Sequence, residues 1–252
     1  MKNYLNLMKE YASLSSWTIW ESKNNGKFEK EADMEVGIDF NKYKDKLQKS
    51  NYVVLGLNPG NYKDLPRETF FSRKEKLDLK DWSNFHNVGK SRDYLLAEAI
   101  RGTVVEGSYM TDLLSIYCSD SSKISSIVEN NKDKVIESII EFDESMSKLI
   151  DESDTIRLIC LGTKTYNYAS RFLVKNELNI NLKKKYLAYK FYHYSGANRH
   201  VSSSCEKDNY YPKIFKKTLI NIEWKCSQFK EKGEIIWKVK INFLTIVIMY
   251  LN

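Results

Sequence analysis

A chain of 252 residues, 42% of them hydrophobic and 29% charged, can bury one large core and is too apolar in composition to be a disordered segment. Its four cysteines lie far apart, with no Cys-x-x-Cys and no Cys/His pair at zinc spacing, which argues against a metal or iron–sulfur centre and for reduced thiols in a cytoplasm. The net charge of +7 is uneven: residues 157 to 240 hold 18 Lys and Arg against 6 Asp and Glu, while the rest holds 22 against 27.

A basic portion on a mildly acidic body is what a polyanion-facing surface requires, although a lysine-rich solvated face has the same composition. The opening "MKNYLNLMKEYASL" is interrupted by charge and does not read as a signal peptide, and the most apolar stretch, "INFLTIVIMYLN", is 12 residues, too short to span a bilayer. The expectation is a cytoplasmic protein with no membrane partner.

In chain order, the first 50 residues read as an irregular layer. A short amphipathic helix runs through "YLNLMKEYASL", then come an aromatic segment "WTIW", a polar loop "ESKNNGKFEKE" and a helix ending near "KYKDKLQKS". From residue 51 onward strands and helices alternate. Strands are expected at 52–57, 108–114, 155–161 and 186–194, and helices near 91–101, 133–150, 164–178 and 210–229. That pattern predicts a three-layer α/β/α sandwich around a mainly parallel, four-stranded sheet. Residues 1–50 would be a helical extension packed on a body at 51–232, and 233–252 a terminal apolar segment of unassigned role.

The first strand raises a question of chemistry. "NYVVLGLNPGNY" is apolar and β-branched through Leu57, then stops on Asn58-Pro59-Gly60. Gly56 and Gly60 permit close approaches, and Pro59 fixes its own φ while restricting Asn58 before it. An amide is thereby held at the carboxyl end of a strand, where ligands bind in open α/β sheets. On these residues alone a plain strand-ending turn is an equal reading.

With "GLNPG" after the first strand, "YMTDLL" at the second and "HYSGANRH" after the fourth, the chain resembles the uracil-DNA glycosylase superfamily over residues 52–200. The first motif is similar to the Gly-x-Asn-Pro-Gly form of its mismatch-specific and single-strand-selective branches, and "HYSGANRH" to its second motif, a His-x-Ser turn before a loop that wedges into DNA. The resemblance implies a monofunctional, monomeric DNA glycosylase acting on double-stranded DNA with no metal or cofactor. Asn58 would position the attacking water and His193 would donate to the oxygen of the departing base, as charge developing on sugar and base demands. Gly56, Leu57 and Gly60 would line the base. Phe70 and Phe71, twelve and thirteen residues after Asn58, include the aromatic that stacks on it. Ser195, Gly196, Ala197, Asn198, Arg199 and Ser202 would contact DNA, with Arg199 filling the vacated space.

Two departures from the family pattern bear on substrate. Uracil enzymes read the base edge with an Asn, where this chain offers Asp112; an ionised carboxylate only accepts hydrogen bonds, which suits the exocyclic amine of cytosine. Asp112 as a structural strand-end cap is the competing reading. Uracil-specific members also carry a bulky aromatic after the motif-one Pro, where this chain has Gly60, so a substituent at C5 is admitted. Together these favour a 5-modified cytosine of the kind some bacteriophages carry, and a role in antiviral defence. A uracil or mismatch glycosylase, a catalytically silent DNA-binding module, and an α/β enzyme acting on a free nucleotide are the alternatives.

Overall fold

The computed structural model describes residues 2–35, 38–60, 69–73, 82, 92–151, 154–194 and 210–231. In chain order its elements are α1 (Tyr4–Met8), β1 (Ser15–Trp17), β2 (Tyr52–Gly56), β3 (Thr69–Phe70), α2 (Asp93–Ile100), β4 (Tyr109–Asp112), β5 (Ile116–Tyr117), α3 (Ile124–Asn130), α4 (Lys132–Leu149), β6 (Thr155–Leu161), α5 (Thr163–Ala169), β7 (Lys185–Phe191) and α6 (Tyr210–Glu231), with short 3-10 turns in the first 50 residues. The sheet and the site belong to a unit spanning Met1–Lys216, and the end of α6 belongs to a second unit, Lys217–Asn252.

The main sheet has the order β1-β4-β2-β6-β7. β2 lies at its centre, parallel to β4 on one side and to β6 on the other, and β7 extends the parallel set. Tyr52, Val53, Val54 and Leu55 are all buried, as a strand covered on both faces must be, which is why its sequence runs apolar instead of alternating. Val53 and Leu55 share a core cluster with Ile156, Leu158 and Cys160 of β6 and with Ile139, Phe142 and Met146 of α4. In α4 the buried Val135, Ile139, Phe142, Met146 and Leu149 recur at three- and four-residue intervals, the stripe a helix needs to cover a sheet. The result is an α/β fold with a mostly parallel sheet, compatible with a three-layer sandwich.

The sheet has five strands where four were expected. Ser15–Trp17 pairs antiparallel with β4, with Ser15 opposite Thr111 and Trp17 opposite Tyr109. The first 50 residues therefore supply an edge of the sheet. Trp17 is fully buried, its ring 5.2 Å from that of Tyr109 and 6.0 Å from that of Trp82. A small second sheet, β3 with β5, was also not expected.

Gln48 ties the starts of β2 and β4. Its side-chain nitrogen donates to Ser50 O and Tyr52 O, its side-chain oxygen accepts from Tyr109 N, and its own amide donates to Gly107 O. Gly107 has φ +80°, and a Cβ there would stand 2.1 Å from Lys46 O, so only glycine fits this crossing. Among the described residues, no helix is long and apolar enough to cross a membrane.

Candidate active site

Because β2, β4, β6 and β7 are parallel, their carboxyl ends lie along one edge of the sheet. By order of appearance the parallel strands run second, first, third, fourth across the sheet, so the chain reverses direction at β2. In open α/β sheets such a reversal, here at the carboxyl ends of β2 and β6, is where ligands bind. Asn58 follows β2, Asp112 ends β4, Gly162 follows β6 and His193 follows β7. The structure thus gathers Gly56, Leu57, Asn58, Asp112 and His193 on one edge.

Asn58 is held by its nitrogen. Nδ2 lies within hydrogen-bonding distance of Pro59 O (2.9 Å), Ile116 O (3.0 Å) and Cys118 O (2.8 Å), its two protons shared among the three. Three carbonyl oxygens around one end of an amide identify that end as the NH2 group. The plane of the amide is fixed, and Oδ1 is the side able to accept from water. The carbonyls are in place because the chain after β4 continues along β2: Leu113 N donates to Gly56 O, Leu114 N to Leu57 O and Cys118 N to Pro59 O.

Asp112 is in register with Gly56 and only 6% exposed. A Cβ on residue 56 would stand 2.2 Å from Asp112 Oδ1, so the carboxyl occupies the space that any side chain at 56 would take. Arg73, fully buried, donates from Nη1 to Asp112 O (2.7 Å) and from Nη2 to Thr111 Oγ1 (2.5 Å). It rests over the Phe142 ring, its backbone N donates to Glu141 Oε2 (2.8 Å), and among the described residues its Nε has no acceptor. Both bonded guanidinium nitrogens thus go to neutral oxygens, and the charge reaches the Asp112 carboxyl through space. Burial pushes that carboxyl up to about 7, with the Arg73 guanidinium opposing the rise. The Asp112 carboxyl therefore holds its proton to higher pH than an exposed aspartate does.

His193 is half-buried at this edge, and burial lowers its imidazole below the usual range, leaving it neutral at pH 7 with one N–H to donate. Its ring stacks on Tyr194 at 4.5 Å. Gly162, at φ +97° and donating its N–H to Phe191 O, lies beneath it, since a Cβ there would approach His193 Cβ to 3.6 Å. Burial, then the charges of Asp93 and Asp112, push the Tyr194 hydroxyl up, so this tyrosine stands in electrostatic range of both carboxyls.

Phe70 and Phe71 go to opposite faces of β3 and the residue following it. Phe70 pairs with Ile116 and packs against the core, whereas Phe71 donates its N–H to Ser115 O and stacks on Tyr117 at 4.4 Å. Tyr117 lies in the chain between Ile116 and Cys118, two of the three residues whose carbonyls surround the Asn58 amide. Gly60 is not among the glycines with positive φ, and among the described residues a Cβ there would meet Ser119 Oγ at 3.7 Å. Ser195, Gly196, Ala197, Asn198, Arg199 and Ser202 lie outside the described residues, as does 233–252.

The sequence reading missed Arg73, Asp93 and Tyr117 as parts of this edge. Among the described residues no cluster of His, Cys, Asp and Glu suited to a metal occurs. No family model, curated protein or solved structure matches the chain.

Proposed function

We propose that the chain is a monofunctional DNA glycosylase of the uracil-DNA glycosylase type. It hydrolyses the N-glycosidic bond of a flipped-out 5-modified cytosine, such as the glucosylated hydroxymethyl base of some bacteriophage DNA, and leaves an abasic site. The observation that carries this reading is the Asn58 amide, clamped by three carbonyls at the switch point with its oxygen turned to the acceptor role. An amide is a poor base, so it serves a reaction in which the glycosidic bond largely breaks before a positioned water adds. A neutral His193 supplies a donor for the oxygen of the departing base without the cost of burying a cation. Phe71, backed by Tyr117, offers a ring for the extruded base, and the open side at Gly60 accommodates a C5 substituent.

A neutral Asp112 can also donate to O4 of uracil, which keeps a uracil or mismatch glycosylase as the second reading. One assay separates them. Matched duplexes containing uracil, cytosine, 5-hydroxymethylcytosine or its glucosylated form are incubated with the protein and treated with alkali; cleavage at the modified cytosine supports the first reading, and cleavage at uracil alone supports the second.

A further inference from the structure

We infer that Asp112 serves this reaction as a neutral carboxylic acid: its hydroxyl bonds N3 of the flipped cytosine, its carbonyl accepts from the exocyclic amine, and the proton passes to N3 as the glycosidic bond breaks. The inference rests on the glycosylase reading above and adds to it the group that makes cytosine a leaving base. When the C1′–N1 bond breaks, its electron pair stays with the base. Uracil spreads that charge over two carbonyls, whereas cytosine has one. A proton delivered to N3 lets cytosine depart neutral. Water held at Asn58 Oδ1 then adds to C1′, and the proton that this water loses restores the Asp112 acid, directly or through solvent.

The geometry singles out this carboxyl. It is buried at the carboxyl end of β4, pressed against the Cα of Gly56, where no other residue would admit it. The Arg73 guanidinium bonds the Asp112 backbone and Thr111, so among the described residues the carboxyl has no contact cation, and the Arg73 charge is shared with Glu141 of α4. Among the described residues, the other titratable groups in electrostatic range of Asp112 or Arg73 are Tyr11 of the first 50 residues, Tyr109 on β4 and Tyr194 after β7, with Asp93 of α2 acting on Tyr194. None of these is a cation at neutral pH. Burial therefore prevails and holds the carboxyl up to about 7. An acid titrating near the working pH is what proton transfer to a departing group requires.

The test uses the full chain and a duplex carrying 5-hydroxymethylcytosine or its glucosylated form, whichever is cleaved faster, beside a duplex carrying the 3-deaza analogue of that base. Single-turnover excision should be level below pH ~7 and fall about tenfold per unit above it. The 3-deaza analogue lacks the N3 acceptor, so it should bind more weakly and, at saturating protein, be excised about 100-fold more slowly. Asp112→Asn keeps a donor and an acceptor but has no acidic proton; it should bind the duplex like the parent, lose excision to a similar degree and lose the alkaline fall. A level rate from pH 6 to 9, or parental excision of the 3-deaza base, overturns the inference while leaving the glycosylase reading intact. Neither of those measurements needs a folded variant. Absence of excision from every duplex overturns both.

Discussion

At the scale of single residues, the account depends most on Asn58. Its nitrogen is fully used by three backbone carbonyls, so Asn58→Ala should abolish excision while DNA affinity stays within a few fold. It should also cost about 1–3 kcal/mol of stability for the stranded acceptors, read as a lower melting temperature. Gly60→Tyr should fold, because Gly60 is not at positive φ and the nearest atom among the described residues is a serine oxygen at 3.7 Å; excision of the bulky modified base should drop, with little change in melting temperature. Asp112 gives a pH prediction. Burial raises it to about 7, above the 3.8 of an exposed aspartate, so the folded state binds the proton more tightly than the unfolded chain. Stability is then highest at acidic pH, falls as pH rises from ~4 to ~7, and levels off beyond. Asp112→Asn should raise the melting temperature at pH 8 and leave it nearly unchanged at pH 4. Asn58 was legible in the sequence because Pro and Gly around it announce a rigid strand end. Arg73 was not, since an arginine in "FFSRKE" looks like any surface charge until the fold closes over it.

At the scale of elements, the four parallel strands were legible as apolar runs bounded by turn residues, and their order follows from the crossovers. β4 ends at Asp112, two residues short of the apolar run, although Leu113 and Leu114 still follow β2 and bond the carbonyls of Gly56 and Leu57. β1 was hidden: three residues are too few to display alternation, and two of them are serines, buried only because β4 lies beside them. Its contribution is testable. Trp17 is fully buried among aromatic rings, so Trp17→Ala should destabilise the fold by about 3–5 kcal/mol in chemical denaturation. Excision by the remaining folded fraction should keep its pH profile. A cost below about 1 kcal/mol would mean that the first 50 residues are dispensable to the sheet.

At the scale of the whole molecule, the basic bias of residues 157 to 240 bears on how the proposed DNA substrate would be held. Some of that charge is already engaged, Arg171 and Lys175 with Glu177 and Lys183 with Glu144, so charge counts overstate what faces phosphate. Duplex affinity should still fall by orders of magnitude between low salt and ~0.2 M if several phosphate contacts form; a flat dependence would favour a small nucleotide as substrate. The measurement that bears most directly on the central claim is chromatographic recovery of free base from the four matched duplexes, with the abasic strand scored in parallel. The account predicts release of 5-modified cytosine, an intact unmodified cytosine duplex, and an alkali-labile site at the position of loss. Recovery of every base within the polymer, with no alkali-labile site in any duplex, would contradict it.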